Sequence, residues 1–303
     1  MPPPTDAARA VRKLRGASIT SLDGGKSASG GGSSAGGLVI GTANFTENQI
    51  LGHLYAEALR AEGVKATVKP NLGSREIVVP ALRSGDIDLL PEYQGSLLPH
   101  LDDSAKATEG GDLQNALTAA LPNGIEALPY AAAENKDVFV VTRETAEKRG
   151  LRSMTDLTKY DGELVFGGPA EDKKRVVGLV GLKDEYGVTF REFKALDTAG
   201  PLVKGALKKG QIDVGNLFST DADIEENGWV ALADPKSLIP AQHIVPLVRS
   251  GKNDLLVRRA LARLGSVLTT DELARLDALV DKDKKDPDRV AAAWAAEHGL
   301  TKK

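Results

Sequence analysis

Short apolar runs alternate with amphipathic stretches along most of the chain. Leu38-Val39-Ile40-Gly41-Thr42 reads as a buried strand. Ile50, Leu51, Leu54, Tyr55, Ala58 and Leu59 then recur at helical spacing. Thr46 with Gln49 fits a capping box before that helix, and Gly63 fits a C-terminal cap after it. A strand near 66–69, a turn at Gly73-Ser74-Arg75, a helix to Ser84 and a strand at 87–90 follow. Further strands are predicted at 138–142, 164–167, 212–214, 230–233 and 244–248, with helices at 144–149 and 202–209. Asn135 and Lys136 are too polar for a central strand, which leaves the start of the strand at 138 open. From about Asp254 the pattern is helical, at 255–264, 270–280 and 288–297. Strands and helices alternating at these lengths predict an α/β fold with mainly parallel pairing.

The chain also resembles itself. Ala81-Leu82-Arg83-Ser84-Gly85-Asp86-Ile87-Asp88-Leu89 is similar to Ala206-Leu207-Lys208-Lys209-Gly210-Gln211-Ile212-Asp213-Val214. The offset, about 125 residues, also carries Tyr93 onto Phe218. Each copy is a helix end, a glycine cap and a strand, so two similar α/β lobes are expected. A solenoid would need at least about three short repeats. Ligands bind outside the carboxyl ends of strands in open α/β sheets. Pro91-Glu92-Tyr93-Gln94-Gly95-Ser96 and Asn216-Leu217-Phe218-Ser219-Thr220 are therefore placed at a cleft between the lobes.

Composition narrows the chemistry. Lys plus Arg number 39 against 42 Asp plus Glu in 303 residues, without the basic stripe that marks a nucleic-acid surface. No cysteine is present, which excludes disulfides, thiolate nucleophiles and cysteine-held metals. The four histidines lack metal-ligand spacing, so neither a metal nor a cofactor is expected. A G-x-S-x-G match at Gly32–Gly36 sits in a Gly/Ser run, with no strand before it or helix after it. Asp281, Asp283 and Asp286 fail as a calcium loop, because Asp286 and Ala292 stand where Gly and Glu are required. Asp86 with Asp88, and Asp221 with Asp223, read as caps and turns. Without a nucleophile, base and oxyanion site, the sequence points to binding rather than turnover. Residues 1–37 read as a flexible tether with an early basic patch. They carry neither the apolar core of a secretory signal nor a lipid-accepting cysteine.

Three segments carry a family resemblance: Asn44-Phe45-Thr46-Glu47-Asn48-Gln49-Ile50-Leu51, Asn71-Leu72-Gly73-Ser74-Arg75-Glu76, and Gly85-Asp86-Ile87-Asp88-Leu89-Leu90-Pro91-Glu92-Tyr93-Gln94-Gly95. Asp197-Thr198-Ala199-Gly200-Pro201-Leu202, Phe218-Ser219-Thr220-Asp221 and Pro240-Ala241-Gln242-His243-Ile244-Val245 agree, in order, over roughly 38–274. The chain resembles the osmoprotectant substrate-binding proteins of ABC transporters, the glycine betaine/choline/carnitine group. That resemblance implies a two-lobed periplasmic-binding-protein fold of type II, with two α/β lobes joined by a two-segment hinge. Lobe I would comprise 38–134 and 240–303, and lobe II 135–239. It further implies an extracytoplasmic, monomeric protein, membrane-associated as a lipoprotein or periplasmic, that serves a permease and its cytoplasmic ATPase.

The same resemblance supplies site residues. The family holds a quaternary ammonium among aromatic rings, whose faces attract a cation, and holds a carboxylate with basic and hydroxyl groups. By position, Tyr93 and Phe218 match rings, Ser96 a hydroxyl and Arg175 the second lobe's arginine. Three positions depart from the pattern: Ala43 for a lysine, and Asp137 and Gln242 for tyrosines. Asn44, Phe45 and Ser74 fall at strand–helix junctions that face the cleft, and Thr220 follows Phe218. Asp137 and Gln242 suit a ligand that carries donors, so an ergothioneine-like betaine or an amino-acid derivative stands as the alternative ligand.

Overall fold

The computed structural model describes residues 37–301. The predicted tether lies outside them except for Gly37. The first sheet combines β1 (Leu38–Gly41), β2 (Ala66–Lys69), β3 (Leu89–Tyr93) and β4 (Ile125–Ala127) with one strand from late in the chain. The second holds β5 (Asp137–Val141), β6 (Val165–Pro169), β7 (Glu192–Leu196), β8 (Val214–Phe218) and β9 (Val230–Ala231). The late strand is β10 (Ile244–Arg249), and the orders are β2-β1-β3-β10-β4 and β7-β6-β8-β5-β9.

Pairing is mixed, which corrects the expectation of mainly parallel sheets. β1 runs parallel to β2 and β3, while β10 is antiparallel to β3 and β4. Likewise β6 runs parallel to β7 and β8, while β5 is antiparallel to β8 and β9. The reason lies in how the chain crosses. β5 starts at Asp137 opposite Phe218, the last residue of β8, and β10 starts at Ile244 opposite Tyr93, the last residue of β3. A strand that enters its sheet where the parallel strands end must run against them.

The two halves of the internal repeat adopt the same local structure. Ahead of β3 comes α2 (Arg75–Ser84), closed by Gly85 at φ 90°. Asp88 then ties the backbone to β1, its Oδ2 accepting from Val39 N at 3.0 Å while its own N–H donates to Val39 O at 2.7 Å. In the second lobe Asp213 Oδ2 accepts from Val165 N at 2.8 Å, and its N–H donates to Val165 O at 2.8 Å. Ile87 lies so close over Gly41 that an added Cβ would meet its Cδ1 at 2.4 Å, and Ile212 stands over Gly167 at 2.6 Å in the same way. These aspartate links occupy the residues expected to open each strand, so β3 and β8 begin two residues later than predicted.

Helix α1 (Thr46–Ala61) is the centre of the first core. The C-terminal helices Leu255–Val267, Thr270–Asp281 and Pro287–Glu297 pack over it, with Leu54, Leu59, Leu273 and Trp294 buried between them. The expected capping box is not formed. Phe45 is the N-cap and makes no side-chain cap bond, while Thr46 Oγ1 donates instead to Asp281 at 2.6 Å. The apolar pattern missed helices Gln94–Leu101, Gly110–Ala120 and Leu179–Tyr186, and strands β4 and β7. β7 is half-exposed or exposed throughout, so it lacks the buried face that periodicity detects. No helix among the described residues is long and apolar enough to cross a membrane.

Candidate functional site

The chain passes between the sheets twice, and the two passages bond to each other. Asn135 N donates to Gln242 O at 3.2 Å, Gln242 N donates to Glu134 Oε1 at 2.9 Å, and Glu134 bridges His243 in antiparallel fashion. Gln242 is buried at this crossing. Its Oε1 accepts from Ser96 N at 3.0 Å and from Ser96 Oγ at 3.1 Å, while its Nε2 donates to Asp137 Oδ2 at 3.2 Å. Gly95 permits this approach, because a Cβ there would meet Ala241 O at 2.4 Å.

Around the crossing lies a cleft with about 600 Å3 of empty space, its mouth included. The sequence-derived residues Asn44, Phe45, Ser74, Tyr93, Ser96, Asp137, Arg175, Phe218 and Gln242 all line it. Thr220 does not. It sits behind Phe218 and lines a neighbouring cavity. Sequence reasoning missed Arg75, Glu92, Asn48, Asn135, Pro169 and Thr198 on the cleft wall.

Three rings meet here. Phe45 lies 5.0 Å from Phe218 and 5.9 Å from Tyr93, centroid to centroid, both tilted. Phe45 and Tyr93 belong to the first lobe and Phe218 to the second, so the cluster closes across the cleft. The Tyr93 hydroxyl is not free, because it donates to Glu47 Oε1 at 2.6 Å. Burial, together with the Glu47 charge, holds its phenol well above the usual range. Behind the rings, Thr220 Oγ1 stands 3.2 Å from Glu47 Oε2 and 3.1 Å from Asp277 Oδ2. A hydroxyl has one proton to donate, so contact with both carboxyl groups requires one of them to be protonated. Burial raises the pKa of both acids; the Glu47 charge raises Asp277 further, while the hydrogen bond from Asp277 lowers Glu47.

Two arginines face the polar end of the cleft. Arg75 opens α2 and forks onto Glu92: Nε donates to Oε1 at 3.0 Å and Nη2 to Oε2 at 2.8 Å. Nη2 also reaches Ser96 Oγ at 2.8 Å. Both charged side chains are nearly enclosed, 11% and 5% exposed. Arg175 stands in the loop after β6 and crosses between the lobes to Glu76, with Nε donating to Oε1 at 3.2 Å and Nη2 to Oε2 at 3.1 Å. This pair is looser, 21% and 36% exposed. Nη1 faces Asp172 Oδ1 at 3.8 Å. Burial pushes the Asp172 carboxyl up to about 7, against the bond it accepts from Asn216 Nδ2 at 2.9 Å. Asp137 is also raised by burial, which the two arginines only partly offset.

Charge is graded along the cleft. Beyond Phe45 and Phe218 lies the neighbouring cavity, walled by Glu47, Asp197, Asp221, Asp223, Asp277 and Asp281 against Lys204 and Lys282. At the opposite end, Arg75, Ser96 and Arg175 form the wall between the cleft and an outer vestibule. The geometry offers apolar ring faces and carboxylates to a cation at one end and guanidinium groups to an anion at the other.

Comparison with known proteins identifies the family and the fold. A family model described as the substrate binding domain of an ABC-type glycine betaine transport system matches residues 36–297. The glycine betaine-binding protein YehZ of Escherichia coli (strain K12) is 26% identical over 278 residues, 87% of this chain and 91% of its own. The carnitine transport binding protein OpuCC of Listeria monocytogenes is 28% identical over 275 residues, 86% of each chain. A crystal structure of a glycine betaine/carnitine/choline ABC transporter matches with a TM-score of 0.67 at 26% identity, covering 87% of this chain and 99% of that one. The two-lobed α/β architecture implied by the sequence motifs is the one found. The chain belongs to the family of substrate-binding domains of ABC-type glycine betaine transport systems.

Proposed function

We propose that this protein captures a small quaternary ammonium solute of the glycine betaine and choline class between its lobes and delivers it to an ABC permease. The lobes are 38–134 with 240–303, and 135–239. A cytoplasmic ATPase would drive the permease, and the binding protein would act as an extracytoplasmic monomer without turnover of its own. One observation carries the reading: Phe45, Tyr93 and Phe218 meet across the cleft, with Arg175 on the same wall. Ring faces attract a methylated ammonium that has no hydrogen to donate. A guanidinium grips a carboxylate through paired N–H donors. Asn44, Ser74, Ser96, Asp137, Gln242 and, behind the rings, Thr220 complete the proposed contacts and their supports. Closure of one lobe on the other is the motion such architectures use.

Asp137 supports a second reading. A half-buried carboxyl on the cleft wall suits a ligand with N–H donors, such as a histidine-derived betaine or an amino-acid derivative. Both readings meet one test, a thermal-shift series with glycine betaine, choline, carnitine, ergothioneine and unmethylated amino acids. A ligand at about 100 times its Kd adds roughly 2.7 kcal/mol, which raises the Tm by several degrees. Methylated ammonium ligands should produce the shift. A shift with unmethylated amino acids alone would sink the proposal.

A further inference from the structure

We infer that Glu76 is a specificity-determining residue: it occupies Arg175 in place of a ligand carboxylate, so that a carboxylate-bearing betaine binds by exchanging with it. The inference rests on the proposed function and names how that site tells a zwitterion from a plain cation. Both arginines at the polar end are already engaged. Arg75 is held by Glu92 within one lobe, in a pair almost closed to solvent. It also holds Ser96, so its release would break five hydrogen bonds and leave the buried Glu92 charge with the Tyr93 N–H but no counter-ion.

Arg175 differs. Its Nε–Nη2 edge holds Glu76 from the other lobe, and its remaining edge faces Asp172. Asp172 is buried and bonded to Asn216, so it is fixed in place. Glu76 is more than a third exposed, borders the outer vestibule and can swing into it. Although burial opposes ionisation, the Arg175 guanidinium holds the Glu76 carboxyl down at about 2, so it competes as an anion at any physiological pH. A ligand carboxylate arriving from the ring side meets Arg175 at the wall shared by cleft and vestibule. It replaces one carboxylate with another. Choline has no carboxylate to offer and leaves the Arg175–Glu76 pair intact.

Calorimetric titration of glycine betaine and of choline into the full chain and into Glu76→Gln tests this. Gln keeps the side chain's shape but removes the competing charge. A half-exposed ion pair is worth up to about 1 kcal/mol, so the ratio of betaine to choline affinity should rise about fivefold in the variant. In an Arg175→Ala background the same substitution should leave the ratio unchanged. An unaltered or lower ratio in Glu76→Gln alone, with betaine still bound by the native chain, would overturn the exchange and mark the pair as a latch between lobes. Failure of the native chain to bind either ligand would overturn the proposed function itself, and the exchange with it.

Discussion

Arg75 and Arg175 stand on one wall of one cleft and are held in opposite ways. Arg75 pairs within its lobe, bidentately and out of water, with Glu92 and Ser96. It holds the end of β3 against the start of α2 and so shapes the wall. Arg175 pairs across the lobes with a partner that water reaches. Its bond spans the two lobes, and in the proposed exchange it gives way to a ligand carboxylate. The same guanidinium is locked where its partner is enclosed and, on the proposed function, free to exchange where its partner is exposed. Charge alone does not distinguish them; burial and the position of the partner do.

That contrast can be broken from either side. The largest effect is expected from Arg75→Ala, which leaves Glu92 buried and unpaired. Unfolding in urea should then show a loss of about 3–5 kcal/mol, and a loss below about 1 kcal/mol would remove Arg75 from the scaffold. Next comes Arg175→Ala, which should weaken glycine betaine about 100-fold in calorimetry. Its stability without ligand should change by less than about 1 kcal/mol.

The rings offer a smaller test. Phe218→Ala removes a face from the cluster and should weaken a quaternary ammonium about tenfold. Tyr93→Phe keeps the face and removes the bond to Glu47, so it should act on stability, by about 1 kcal/mol. If Tyr93→Phe weakened the ligand as much as Phe218→Ala, the phenol rather than the ring would be the contact.

The smallest effect belongs to acid. Glu76 has a folded pKa of about 2, below the ordinary 4.5, so its contribution is present above about pH 4.5 and is lost as pH falls through 2. Because the pair is partly exposed, the loss should not exceed about 1 kcal/mol. Acid unfolding curves of the native chain and Glu76→Gln should converge between pH 4.5 and 2. Parallel curves would show that the pair adds nothing to stability.

Much of this architecture was legible in local patterns. The repeat placed Tyr93 and Phe218 at matching strand ends, and in the structure they close β3 and β8. The long amphipathic helices were found where apolar spacing put them. What stayed hidden depends on pairing over distance. Glu47 and Asp277 share Thr220 although they lie at opposite ends of the chain, and nothing local marks either acid as buried. Locally Arg75 belongs to a turn, and its partner Glu92 comes within reach only once α2 packs beside β3. The expected capping box failed for a related reason. Thr46 finds Asp281, a distant partner, before it can cap its own helix.

On the proposed function, a methylated ammonium with a carboxylate binds between the lobes, its anion on Arg175. The most direct measurement is calorimetric titration of glycine betaine into the native chain and into Arg175→Ala, with circular dichroism to verify the fold of each. Saturable binding at one site is expected in the native chain and about 100-fold weaker binding in a folded variant, the consequence of the anion's place on Arg175. Equal affinity in both proteins would contradict it.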